Sequence, residues 1–220
     1  MIYKYFTEEA HAQAFMRRGS MRFRPLSWFR QYEGDAARGD RNDGILIFNP
    51  EAGLEINRAD GRKEIWKGWR FESSAREDDI FVHCMSLRLA EDVATRFESP
   101  WCVEITDAEA LVARLRARQS RTSHLDYATL LARNVEYRAR DALPQADWAL
   151  PDRLAFIKPE EFSYQDEYRF AIGKHGALDP ENVKVFLRRG EPDPVAAAEL
   201  APPLDLGVGD LRDLAVLHRF

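Results

Sequence analysis

At 220 residues, 45% of them hydrophobic and 31% charged, the chain can bury a substantial core, which excludes an intrinsically disordered or fibrous protein. Its net charge of −5 excludes a protein that coats nucleic acid or an anionic membrane through bulk charge, and leaves room for a local basic cleft. The opening MIYKYFTEEAHAQAF lacks the apolar core of a signal peptide and no run of about 18 apolar residues occurs, so a cytoplasmic protein without a membrane partner is expected.

In chain order, residues 2–6 are expected as a first strand, followed by a helix to about Arg18 with Thr7 as its cap and Glu8 and Glu9 in its first turn. Gly19 is the expected left-handed stop. The stretch SMRFRPL then resumes as a strand with Met21 and Phe23 on one face and Arg22 and Arg24 on the other, ending at Pro25. From Trp28 to Gly44 the sequence WFRQYEGDAARGDRNDG is dense in charge and glycine and predicts a loop. Beyond it GILIF, GLEINR, KEIWKGWRF, DIFVHCMSL and WCVEIT succeed one another as strands, with turn signals between them. The 79–87 segment is apolar on both faces, which suits a central strand, and His83 and Ser86 are its polar exceptions. Asp107 caps an expected helix through about Ser120. In 121–160 the pattern is weaker: NVEYRAR suits a strand, and ADWALPDRLAF a helical turn or two broken by Pro151. YQDEYRFAIG, VKVFLRR and LAVLHRF are expected as closing strands, with EPDPVAAAELAPP resembling a linker.

Several chemistries find no footing. Cys84 and Cys102 lie on separate apolar segments without CxxC spacing, the usage of buried thiols in a reducing compartment and not of a disulfide or zinc site. His83 and Cys84 are consecutive on a strand and point to opposite faces, so they form no dyad. No lysine stands two residues after an acid, as a metal nuclease of the acid-x-Lys kind requires, and there is no GxSxG, P-loop or GxGxxG. The acids Glu33, Asp35, Asp40 and Asp43 do not fit a calcium loop and are interleaved with Arg30, Arg38 and Arg41. That loop is either an ion-paired surface loop or one that orders over a ligand, anchored by Trp28, Phe29 and Tyr32.

The stretch SYQDEYRF remains. On a strand Gln165, Glu167 and Arg169 would share a face, neighbours roughly 6.5 Å apart, as either a wet polar face or a small site. A Gln-x-Glu pair opening a late strand, together with Ser86 in HCMS on a central strand and a polar, aromatic first strand in IYKYFT, resembles the ADP-ribosyltransferase family. The resemblance implies Glu167 as catalytic carboxylate, Gln165 as the residue that orients the acceptor, and NAD as substrate. It further implies a nicotinamide pocket lined by Ser86, with Lys4 or Tyr5 at the position where the family's first strand offers Arg or His. Tyr168 or Tyr164 would wall the site from water, and Arg30 would bring the charged loop over it. The opening also looks like that of bacterial nucleic-acid-modifying members and of a broader group of bacterial and phage-linked proteins.

The expectation is therefore a single α+β domain over 1–220 with a mixed, mainly antiparallel sheet and peripheral helices. Functionally it is an NAD-dependent ADP-ribosyltransferase-like enzyme, a toxin or phage-defence effector with a nucleic-acid or protein acceptor. The alternative is a non-catalytic interaction or regulatory protein of a bacterial defence or toxin operon.

Overall fold

The computed structural model describes residues 1–31, 43–120, 130–139, 142–174, 176–190 and 201–220. Strand β1 (Ile2–Phe6) leads into helix α1 (Glu9–Arg18), which buries Ala12 and Phe15. Glu8, not Thr7, holds the cap position, and it makes no side-chain cap bond. The helix stops as the sequence predicts: Gly19 turns left-handed at φ 58°, its N–H donating to the Phe15 carbonyl at 2.8 Å. Strand β2 (Ser20–Pro25) buries Met21 and Phe23 and turns Arg22 outward. Contrary to the expected loop from Trp28, a short helix α2 (Leu26–Gln31) follows; Pro25 ends the ladder, and Leu26, fully buried, holds the turn against the core.

Strands β3 (Ile45–Phe48), β4 (Leu54–Asn57), β5 (Lys63–Trp66) and β6 (Trp69–Ser74) are the expected run of strands, except that KEIWKGWRF is two of them and that they pair nested, β3 with β6 and β4 with β5, and not as a meander. Gly68 at φ 71° makes the break. Strand β7 (Ile80–Ser86) is followed by a helix the sequence reading did not foresee, α3 (Glu91–Arg96), with acids in its first turn, Arg96 in its last and Val93 and Ala94 buried. Strand β8 (Trp101–Ile105) precedes α4 (Ala108–Gln119), where the Asp107 side chain accepts from the Ala110 N–H at 3.0 Å as predicted. Then come β9 (Leu130–Asn134), β10 (Glu136–Arg138), α5 (Pro151–Leu154) with Pro151 in its first turn, and β11 (Ile157–Pro159). Strands β12 (Glu167–Gly173), β13 (Lys184–Arg189), β14 (Leu204–Gly207) and β15 (Ala215–Arg219) close the chain.

The main sheet runs β14-β2-β7-β1-β8-β15, with β12 and then β9 joined on through β7, and every pair in it is antiparallel. A β13-β6-β3 sheet and a β4-β5 hairpin are also antiparallel, and β10-β11 is a short parallel ribbon. This is the mixed, mainly antiparallel α+β architecture expected. No helix among the described residues is long and apolar enough to cross a membrane.

Strand alternation on β7 and β12 separates two cores. Phe81 and Met85, with Phe170 and Ile172 opposite, join the cluster under α1 and α4; Ile80, Val82 and Ala171 join a second one around Leu26, Leu154 and Phe156. A third, smaller cluster gathers Tyr3, Tyr5 and Cys102 under α3.

The pairing of β7 decides the shape of the molecule. Strand β12 occupies one of its edges along the whole register from Glu167↔Ser86 to Gly173↔Ile80. Strands β1 and β2 must therefore share the other edge. The first holds it at Tyr3↔Ser86, the second at Arg24↔Val82 and Pro25↔Phe81, and neither pairs with residues 83–85. The sheet splits there.

Gly19 sits where β2 meets the turn after β14: a Cβ there would fall 2.4 Å from Val208 Cγ2 and 2.6 Å from the Gly209 carbonyl oxygen. With the left-handed backbone added, Gly19→Ala is expected to destabilise the fold by about 2 kcal/mol or more. Urea unfolding reads this as a lower midpoint at unchanged slope; an unchanged midpoint would mean that residues 207–209 yield without cost.

Candidate functional site

The split in the sheet is a cleft of about 980 Å³, walled by β1 on one side and β2 on the other, with the bare edge of β7 between them. Two side-chain contacts stand in for the missing ladder: Lys4 Nζ donates to the Cys84 carbonyl at 2.6 Å, and His83 Nδ1 lies 2.9 Å from the Arg22 carbonyl. That carbonyl makes Nδ1 the protonated nitrogen. His83 Nε2 is buried without a hydrogen-bond partner among the described residues, and the ring packs near Phe15, Phe23 and Phe170. Burial, and then the nearby Lys4 charge, push the imidazole well below its ordinary range, so it is neutral.

At the Ser86 end the cleft is lined by Gln165 and Glu167. They do not sit as the sequence reading had them. Strand β12 begins only at Glu167; Gln165 closes a 3-10 turn over Glu160–Gln165, and Asp166, at φ 43°, reverses the chain into the strand. Aspartate tolerates that left-handed conformation better than most residues. The Ser86 hydroxyl latches the turn by donating to the Gln165 carbonyl at 2.8 Å, while it accepts from the Arg88 N–H at 3.1 Å. Its one proton is thereby used, and what it retains toward a ligand is a lone pair.

Glu167 and Arg169 do share a face, buried, and the pair extends in both directions. Lys158 Nζ donates to Glu167 Oε1 at 2.9 Å and to Gln165 Oε1 at 2.8 Å. Arg169 Nε donates to Glu167 Oε2 at 2.8 Å, and its two terminal nitrogens each reach an Asp43 oxygen at 2.8 Å. Arg169 also donates to the Ala155 carbonyl at 2.8 Å. Lys158, Glu167, Arg169 and Asp43 thus form a line of alternating charge, two cations and two anions, with Arg169 and Asp43 fully buried. The β10-β11 ribbon builds one end of it, because Tyr137 and Lys158 are register partners; the Tyr137 hydroxyl oxygen accepts from the Glu167 N–H at 2.9 Å.

Burial on its own would raise the Glu167 carboxyl, but the adjacent Lys158 and Arg169 outweigh it and hold the group at about 2. Burial, then Glu167, push the Cys84 thiol up to about 12, which removes it as a nucleophile.

Toward the β2 end the lining turns basic and aromatic. The Arg24 guanidinium stacks 4.2 Å from the centre of the Trp28 ring, and Arg18 and Arg22 follow, Arg22 held by Asp205 at 2.8 Å. Among the described residues, four cations, Lys4, Arg18, Arg22 and Arg24, and two carboxylates, Glu167 and Asp205, line the cleft, in a chain that is acidic overall. From Ser86 to Val82 the floor runs four residues of strand, roughly 13 Å.

Of the residues singled out from sequence, Lys4, Tyr5, Ser86, Gln165 and Glu167 are brought to this cleft. The Tyr5 hydroxyl is committed, donating to the Arg88 carbonyl at 2.7 Å and accepting from the Ala90 N–H at 2.9 Å. Tyr168 is not at the site. It follows Glu167 on the strand, so it points to the opposite face and packs against the core under α4, 5.3 Å ring to ring from Phe170. Tyr164 lies beside Gln165, its ring under the Arg96 guanidinium at 4.3 Å. Arg30 falls outside the described side chains, and Tyr32, Glu33, Asp35, Arg38, Asp40 and Arg41 outside the described residues. Asp43 is no member of a surface loop, being wholly buried against Arg169. Among the described residues no group of three or more His, Cys, Asp or Glu is placed to hold a metal ion.

The sequence reading missed Lys158, Asp43, Tyr137 and the Arg24–Trp28 stack. Lys158 had a signal: it is a lone lysine behind the apolar run LAFI.

No protein-family model, curated protein or solved structure matches the chain, so the cleft's own chemistry carries the functional argument.

Two outcomes are expected from the ionic line. Asp43→Ala leaves the buried row with two cations, Lys158 and Arg169, against the single carboxylate of Glu167 and should cost about 3–5 kcal/mol in chemical denaturation. Glu167 is held below its ordinary 4.5, so its share of stability is complete above that value and is lost as pH falls toward about 2. In Glu167→Gln the slope of stability against pH between those limits should flatten by about one proton; an unchanged slope would mean that other carboxylates carry the acid sensitivity.

Proposed function

We propose that the cleft binds NAD and transfers its ADP-ribosyl group to a nucleophilic acceptor. The observation that carries this reading is the buried, ionised Glu167, beside Gln165 at the Ser86 end of a cleft whose other end is cationic and carries an indole. A ligand with an anionic centre, aromatic ends and sugar hydroxyls matches that distribution: arginines meet the pyrophosphate, Trp28 offers a stacking face, and Glu167 accepts from a ribose hydroxyl. The volume of about 980 Å³ is at the upper end of ligand pockets.

The reaction would break the bond between ribose C1′ and the nicotinamide nitrogen. Its electron pair passes to the pyridinium ring, nicotinamide leaves neutral, and the acceptor's lone pair forms the new bond to C1′ as the acceptor's proton passes to solvent. Positive charge builds on the ribose in between, as in other glycosidic cleavages. An anion fixed beside it lowers the barrier because it interacts more strongly with that transient charge than with intact substrate. Gln165, held next to Glu167 by Lys158, is the neighbouring polar group that would orient the acceptor.

A second reading has its own support. Both Glu167 oxygens already accept from cations, which offsets much of the anion's field, and an NAD-binding module without turnover would look the same.

Titration with NAD and assay of nicotinamide release, with nucleic-acid and protein acceptors present, separate the two. Glu167→Gln should lower release by roughly 10²-fold, about 2.7 kcal/mol of transition-state stabilisation, with little change in NAD affinity. Binding without release in the wild type selects the module; neither binding nor release removes NAD as ligand.

A further inference from the structure

We propose that Lys158 is the positioning residue of the cleft, fixing which face of the Gln165 amide and which state of the Glu167 carboxyl a ligand meets; this rests on the ligand site described above. An ammonium group can only donate. At 2.8 Å from the Gln165 side chain it therefore dictates that the amide oxygen faces Lys158, which turns the amide nitrogen to the other side, where it lies 3.4 Å from the Tyr164 hydroxyl. The Lys158 ammonium also donates to Glu167 Oε1 at 2.9 Å. One buried cation thus sets a donor at Gln165 and an acceptor at Glu167, side by side. A sugar hydroxyl pair, in which one oxygen accepts while the other donates, is complementary to that arrangement.

Lys158 is well placed for the task because it cannot wander. It is 1% exposed, lies on β11 between the ribbon partner Tyr137 and the 3-10 turn, and its ammonium sits 4.9 Å from the centre of the Phe162 ring. The groups that face Glu167 are Lys158, Arg169, Tyr137 and Cys84, with Asp43 behind Arg169. Arg169 is divided between Glu167 and Asp43, whereas Lys158 bonds Glu167 and the neutral Gln165, so removal of Lys158 takes the charged donor from the Gln165 amide oxygen and one of its two ion-pair partners from Glu167.

The test uses Lys158→Met, which keeps the apolar stem, and Lys158→Arg, which keeps charge and donors. Carbon-13 NMR titration of the Glu167 carboxyl and NAD titration are run on both and on the wild type. Lys158→Met should move the Glu167 titration upward from about 2 by one pH unit or more, and weaken NAD by about tenfold. Lys158→Arg should keep Glu167 ionised and NAD affinity within about threefold. A folded Lys158→Met protein in which Glu167 titrates as in the wild type overturns the proposal. If Lys158→Met does not fold, the arginine variant decides: NAD binding lost with an unshifted titration overturns it, and both retained supports it. A wild type that fails to bind NAD while the Glu167 titration still shifts in Lys158→Met removes the NAD reading and leaves the positioning role standing.

Discussion

A strand has two edges, and β7 has three neighbours. With β12 on one edge throughout, β1 and β2 meet the other at its two ends, and the chain between them has to splay. Everything distinctive in the molecule follows from that. The cleft exists because residues 83–85 pair with β12 on one edge and with neither β1 nor β2 on the other; Lys4 has its position because the Cys84 carbonyl on that open edge needs a donor; and His83 is neutral because its ring is buried in the gap under α1. Helix α1 is the link between the diverging strands, so the packing of Ala12 and Phe15 against Met21, Phe23 and Met85 also sets how far they part. Closing the split with a regular ladder would remove the cleft and make the Lys4 contact redundant.

The second constraint is electrostatic. Four ionic side chains in a row, three of them fully buried, are a poor way to gain stability, since apolar residues of equal volume would fill the same space without the desolvation cost. What the row achieves is a carboxylate that stays ionised in a dry environment and a fixed orientation for the amide next to it. The bidentate Arg169–Asp43 pair keeps the line neutral as a whole, which lets two cations sit beside one carboxylate without leaving net charge in the core.

How much of this was legible in the sequence depended on whether the signal was local. Period-two alternation in SMRFRPL, the two-faced apolar run around Val82, the Asp107 cap and the Gly19 stop are one-dimensional patterns, and the strands and helices that they mark are where they were expected. Helix α3 escaped because six residues with a single buried Val-Ala step carry no periodicity. The site was half legible. Glu167 and Arg169 share a face by strand geometry, but Gln165 reaches the same place through a 3-10 turn and a left-handed aspartate, and Tyr168, an immediate neighbour of Glu167, is on the other side of the sheet. Asp43 was unreadable: sitting in a stretch of charge and glycine, it looked like surface, and its partner is 126 residues away.

The same row of charges also limits what Glu167 can do. A carboxylate that already accepts from two cations keeps further lone pairs, so it can still bind a hydroxyl, but its field at a developing positive charge is partly cancelled by Lys158 and Arg169. Lys158 reaches the carboxylate from β11 and Arg169 from along β12, and Glu167 also lines the cleft, so under the proposed function cancellation would be incomplete wherever a ligand lies nearer to the anion than to either cation. That difference in distance would set the sign of the field at the ligand. A strand face in water would have no such asymmetry to exploit. Under the proposed function the buried row would leave Glu167 negative toward a ligand and neutralised toward the core, with Lys4 the nearby cation on the cleft side.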